Sequence, residues 1–152
     1  MTAASVMNKE PLVLSLDDTV GDAVGHIIGH RYRNLPVVDG DGCYLGVFGV
    51  NCLLRLLLPK VATMDIAALD SLDYMRAGLP DLKRRLDKVR EYPVSEYLYT
   101  DIPVMRPDTA LMEVLLTLFK FKASLPVVDE DSGRLVGMIS YWEVLERIRA
   151  AS

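Results

Sequence analysis

Ser140 and Glu143 stand three residues apart at the head of an apolar run. A carboxylate in the first turn of a helix, with a hydroxyl beside it, can accept both protons of a vicinal diol such as that of a ribose. The same Ser-x-x-Glu spacing is also a capping box, in which the two side chains satisfy backbone donors of the helix they begin. Both readings put the pair at a helix start, and spacing alone does not choose between them.

The other reactive residue types form weaker patterns. His26 and His30 are four apart and could share a metal on one helix face, but the chain holds only 2 histidines and no third ligand is evident from spacing. Its 2 cysteines, Cys43 and Cys52, form no CxxC pair, so reduced, structural thiols are expected. Met105, Met112 and Met138 read as core filling. There is no Gly-x-Ser-x-Gly elbow, phosphate-binding GxxxxGK[ST] loop or His-Glu-x-x-His. The expectation is a non-catalytic protein with no catalytic residue, no metal and no resident cofactor.

The elements that must position these residues are organised by a repeat. Leu35-Pro36-Val37-Val38-Asp39 recurs ninety positions later as Leu125-Pro126-Val127-Val128-Asp129. Asp18-Thr19 matches Asp108-Thr109 and Val24 matches Val114 at the same offset, while Gly46 matches Gly137 and Leu54 matches Leu145 at ninety-one. The shift places an extra residue in the second copy's Asp/Gly-rich turn. In each copy a short extended piece (Leu12 to Leu14; Ile102 to Met105) precedes a segment with helical spacing of apolar residues. Asp17 to Thr19 and Asp108-Thr109 supply capping groups there. Two short strands around the Asp/Gly turn and a second helix follow, Val50 to Leu58 and Tyr141 to Arg149. The unit reads β-α-β-β-α, too small to bury both sheet faces alone.

The order of elements, the LPVVD strand and the run Gly137-Met138-Ile139-Ser140-Tyr141-Trp142-Glu143 resemble the CBS (cystathionine-β-synthase-type) domain, which occurs in tandem pairs known as Bateman modules. The resemblance implies an α/β (α+β) fold: two repeats, 8–59 and 93–150, packed about a pseudo-two-fold axis, with a helical insert at 60–92. It implies a regulatory module sensing an adenosine-containing nucleotide, AMP, ADP, ATP or S-adenosylmethionine. The alternative is a ligand-free dimerisation module acting on a partner protein. By the same resemblance, Ser140 and Glu143, with Met138, would take the ribose. The adenine would lie on the opposite copy, along Pro11, Leu12 and Val13 and by Tyr32 and Arg33. The family's usual acid is Asp, so Glu143 must retract or shift the sugar. Gly49 and Cys52 stand at the matching places of the first copy and cannot hold a diol. Lys122-Ala123-Ser124 replaces the basic residues before the second LPVVD, with Lys120 and Lys122 as substitutes for a phosphate contact.

In the insert, Leu82, Leu86 and Val89 share one helical face behind Pro80 and Asp81, and Lys83, Arg84, Arg85, Lys88 and Arg90 are interleaved with Asp87 and Glu91. That is a solvated helix face and not a nucleic-acid patch, in keeping with a net charge of -4. No apolar run approaches the roughly 20 residues of a membrane span and no secretory signal is visible, so a cytoplasmic protein without membrane contact is expected. The 51% of hydrophobic residues fits either a subunit interface or simply a rich core. The family pairs the helical faces of two modules into a four-copy disc. Leu53, Leu54, Leu57, Val144, Leu145 and Ile148 would form that homodimer contact, and the effector protein remains unidentified.

Overall fold

Each LPVVD segment becomes a strand whose first three residues are buried, as a continuous apolar run flanked by turn residues should be. The computed structural model describes residues 1–58 and 78–151. In chain order it contains α1 (Ala3–Val6), β1 (Leu14–Ser15), α2 (Val20–His30), β2 (Asn34–Val38), β3 (Tyr44–Gly49) and α3 (Val50–Leu57). Then follow α4 (Leu79–Val89), a 3-10 turn (Val94–Glu96), α5 (Leu111–Phe121), β4 (Leu125–Val128), β5 (Leu135–Ile139) and α6 (Tyr141–Ala150). In the first copy β1 runs parallel to β2, which is antiparallel to β3. In the second, β4 and β5 form the hairpin and Met105 alone stands in for the missing first strand, in a parallel bridge to Val127. The part of the expected insert at 60–77 lies outside the described residues. Residues 79–89 form the expected helix, with Pro80 in its first turn and Asp81 accepting from the Gly78 N–H at 3.0 Å.

The repeated aspartates hold the hairpins. Asp39 Oδ1 accepts from the N–H groups of Asp41 (2.9 Å) and Cys43 (3.0 Å), and Asp129 does the same for Asp131 (3.2 Å). Gly42 and Gly133 close the two turns at φ of 83° and 74°, where a side chain would be strained. The additional residue of the second copy lies in this turn, as expected.

The helices correct the repeat offset. Asp18 accepts from the Ser15 N–H at 2.8 Å, and the residue doing this job in the second copy is Thr109, accepting from the Arg106 N–H at 2.9 Å. Thr19 caps α2, yet its counterpart at α5 is Ala110, which has no capping side chain. The helices therefore align at ninety-one, pairing buried Ala23 with Val114 and Ile27 with Leu118. The match of Asp18-Thr19 to Asp108-Thr109 is displaced by one. The register returns to ninety at the strand because the first copy carries one more residue between helix and strand, Arg31 to Asn34 against Lys122 to Ser124.

Two cores result, and they exchange parts. Ala3 and Val6 of the N-terminal segment are buried with Val114, Leu125, Val127, Ile139 and Val144 of the second copy. Val94, in the lead-in of the second copy, is buried with Leu14, Val20, Leu35, Val37 and Phe48 of the first. Backbone pairs tie the exchange: Asn8 and Met138 trade N–H···O bonds of 2.8 and 3.0 Å, Tyr99 and Val47 bonds of 2.9 and 3.0 Å. The repeated glycines sit at these crossings. A Cβ on Gly137 would lie 2.9 Å from the Asn8 carbonyl oxygen, and one on Gly46 would lie 3.0 Å from that of Tyr99. Met105 and Met138 fill the interior, whereas Met112 is 73% exposed, contrary to its expected place in the core.

Tyr44 sits where the hairpins meet, its N–H donating to the Gly133 carbonyl at 3.0 Å. Its ring packs against the second core, and its hydroxyl is shielded without a partner among the described residues. Burial pushes its pKa up to about 12. The raised value means stability is fully present below the ordinary value of about 10 and is lost as the pH climbs through the folded value. Tyr44→Phe removes both the unsatisfied hydroxyl and this titration. Denaturant melts should show it equal to or up to about 1 kcal/mol above the parent at neutral pH, with a smaller loss under alkaline conditions.

Candidate nucleotide site

The start of α6 presents a half-buried carboxylate. Glu143 Oε2 accepts from the Ser140 N–H at 2.9 Å and also contacts the Ser140 hydroxyl. This is the reach-back half of a capping box, and it leaves Oε1 without a hydrogen bond among the described residues. Just upstream, the Met138 side chain is buried while its backbone is held by Asn8. Of the expected adenine contacts, Leu12 packs half-buried on the first core and Val13 is exposed. Tyr32 is exposed and its ring stacks on His30, with centroids 5.4 Å apart. His30 in turn stacks on His26 at 6.2 Å, so the two histidines extend an aromatic row, and no cluster of three metal-ligating side chains occurs among the described residues.

Arg33 goes elsewhere. It lines a cavity of about 590 Å³ at the start of α3, the pseudo-symmetric counterpart of the α6 site, and a volume in the range of ligand pockets. The second copy's lead-in supplies Glu96, Tyr97 and Tyr99 to its wall, and the end of α5 supplies Phe121 and Lys122. Neither Ser140, Glu143, Met138, Leu12 nor Val13 lines it. Arg33, Arg55 and Lys122 outnumber the single acid Glu96, so this cavity suits an anion such as a phosphate. Of these, Arg55, Tyr97 and Tyr99 were not legible as site residues, because the two tyrosines reach the cavity only through the exchange of lead-in segments.

Glycine stands at the helix start here because of what faces it. Asn34 pairs with Gly49 across the hairpin, and the Arg33 carbonyl accepts from the Val50 N–H at 2.8 Å. A Cβ at Gly49 would collide with Asn34 Oδ1 and with that carbonyl oxygen. Cys52, at the place of Glu143, turns its Sγ toward the Val47 carbonyl at 4.0 Å. The two sites therefore differ by construction: one holds a carboxylate at a helix start, the other cations around a cavity.

A family model for the CBS domain matches residues 3–59 and again 94–150. The chain belongs to the CBS-domain family. The CBS pair is 25% identical over 146 residues to an inosine-5'-monophosphate dehydrogenase of Methanocaldococcus jannaschii, covering 95% of this chain but 23% of that enzyme. Among solved structures it resembles a CBS domain-containing protein from Kribbella flavida, 23% identical with a TM-score of 0.68 and 99% of both chains covered. CBSX2 of Arabidopsis thaliana is 21% identical with a TM-score of 0.71, covering 99% of this chain and 98% of that one. CBSX2 has also been solved in complex with AMP, a structure 23% identical with a TM-score of 0.65, covering 97% and 96%. These likenesses establish the fold, an α/β pair of repeats as expected. No helix among the described residues is long and apolar enough to cross a membrane.

Filling the Gly49 contact should break local packing. Gly49→Ala is expected to lose about 1–3 kcal/mol in urea denaturation, because the Arg33 backbone carbonyl and the Asn34 side chain must both move to admit one methyl.

Proposed function

We propose that this CBS pair is a non-catalytic regulatory module that binds an adenosine nucleotide, with the ribose diol on Glu143 and Ser140. The Glu143 carboxylate carries the reading: it is half-buried, anchored through Oε2, and its Oε1 has no hydrogen-bond partner among the described residues. A sugar hydroxyl satisfies that oxygen, and the Ser140 hydroxyl can rotate to share the diol. The exposed Val13 and Tyr32 offer the adenine an edge and a face, with the half-buried Leu12 next to Val13 in the chain and the buried Met138 two residues before Ser140. The cations around the separate cavity at the start of α3, Arg33 among them, suit a second anionic group such as a phosphate. AMP bound to CBSX2 supports this ligand class. A nucleotide bridging the two copies favours one of their relative arrangements, and a partner protein or second subunit reads the difference. The second reading, a module that binds no ligand, is favoured by the capping contact itself, which gives Ser140 and Glu143 a complete structural role.

A thermal-shift panel of AMP, ADP, ATP, NAD and S-adenosylmethionine separates the two. A native-state ligand at a hundredfold its dissociation constant adds about 2.7 kcal/mol of stability, and a flat panel leaves the ligand-free module. For whichever compound binds, calorimetry on Glu143→Gln should show affinity lower by roughly one to two decades, the equivalent of about 1.5 to 3 kcal/mol for a charge-assisted contact. Undiminished binding in a folded variant would reduce the pair to a cap.

A further inference from the structure

The cavity at the start of α3 is walled by both copies. Arg33, Asn34 and α3 come from the first, and the lead-in from Glu96 to Ile102, with the end of α5, comes from the second. Its least exposed lining is apolar: Leu56 and Leu98 pack on the first core, and Ile102 is buried in the second. Leu53 also packs inward from α3, and Val144 of α6 is buried, so neither is available for the subunit contact expected of it. Tyr99 and Phe121 add aromatic side chains to the wall that are 42% and 51% exposed.

Three cations of this wall have no counter-charge in the protein. Arg33, Arg55 and Lys122 make no ion pair among the described residues, whereas Arg84, Arg90 and Arg106 each meet a carboxylate close by in the chain. An isolated surface cation is adequately served by water, but three brought from separate segments to one concave wall attract an anion. The same wall lacks what a ribose needs. Gly49 and Cys52 offer no carboxylate at the helix start, and any side chain at Gly49 would collide with Asn34 and the Arg33 carbonyl oxygen. The one acid of the wall, Glu96, is an exposed residue of the 3-10 turn with no backbone donor to anchor it, unlike Glu143.

We propose that this cavity binds an organic phosphate that has a planar apolar body and needs no sugar diol, at a site separate from Glu143. Arg33, Arg55 and Lys122 hold the phosphate, the two guanidinium groups matching its oxygens in pairs. The body lies against Tyr97, Tyr99 and Phe121, above the apolar lining. A bare phosphate would leave most of the 590 Å³ and all of that lining to water. The proposal is independent of the nucleotide reading, because a module in which Ser140 and Glu143 serve only as a cap keeps this cavity intact. With both sites in use, the pair answers to two chemically different ligands.

1-Naphthyl phosphate supplies both features, a dianion and a flat apolar body, and its fluorescence reports binding directly. Titration of the full chain should show saturable binding about tenfold or more tighter than that of inorganic phosphate. Arg55→Gln and Lys122→Gln change exposed side chains, so they should keep the parent's circular dichroism while each weakens binding about tenfold or more. Glu143→Gln should leave the affinity for 1-naphthyl phosphate unchanged. In that variant, where the cavity is the remaining site, AMP and its 2′,3′-dideoxy analogue should bind within about twofold of each other. Four results overturn the proposal. They are no binding of 1-naphthyl phosphate to the folded parent, binding that survives both Arg55→Gln and Lys122→Gln, a loss in Glu143→Gln as large as in Arg55→Gln, and a clear preference of Glu143→Gln for AMP over the dideoxy analogue. The nucleotide reading fails separately, on the response of AMP binding to Glu143→Gln in the parent background.

Discussion

Val47 and Met138 lie on strand edges whose N–H and C=O groups point away from their own hairpins, and every other feature of the molecule depends on how those edges are covered. A bare strand edge leaves backbone groups unpaired and invites association with other chains. Here each edge is covered by the lead-in of the opposite copy, Tyr99 on Val47 and Asn8 on Met138. The approach is close enough that a side chain beside it would force the neighbour to shift at Gly137 and be tightly held at Gly46. The same crossings carry Ala3 and Val6 into one core and Val94 into the other, so hydrogen bonding and apolar burial are satisfied by one exchange.

Within that symmetric frame, the residues that face each helix start produce the asymmetry of the sites. Asn34 pairs with Gly49 across the hairpin and the Arg33 carbonyl accepts from the Val50 N–H, so a Cβ at Gly49 would collide with both, and glycine there removes the hydroxyl that a diol contact needs. In the second copy α6 begins with a serine whose backbone N–H anchors Glu143. The additional residues of the two copies lie apart from these contacts, one between α2 and the LPVVD strand and one in the second hairpin turn ahead of the left-handed Gly133.

The repeat, both hairpins, the helices and the CBS fold were legible because they rest on local signals: buried apolar runs, aspartate and glycine turns, and the spacing of Val20, Ile27, Val114 and Leu118. The helix register was not. One additional residue before β2 and another after β4 offset each other, and a chance identity between Asp18-Thr19 and Asp108-Thr109 favoured the wrong alignment. The exchanged segments were also hidden, since they pair through isolated bridges at Asn8 and Tyr99 that impose no periodicity. Arg33 and Tyr32 are sequence neighbours, yet they diverge at the end of α2, where Arg31 takes a left-handed conformation with φ of 59°. Arg55, Tyr97, Tyr99 and Lys122, from three separate segments, meet around one cavity only in three dimensions.

The exchange of lead-in segments also sets an order of events during synthesis. Residues 3 to 8 leave the ribosome before the rest of the pair, but their partners, Thr109, Val127 and Met138, emerge only with the second copy. The nascent first copy meanwhile gains Val94 and Tyr99 earlier and can close its own core before the N-terminal strip has anywhere to dock. Contacts so distant along the chain carry a large loop-closure cost and slow the last stage of folding. Residues 3 to 8 are therefore among the last of the pair to reach their place, and the apolar strip around Ala3 and Val6 waits longer for cover than the core of the first copy.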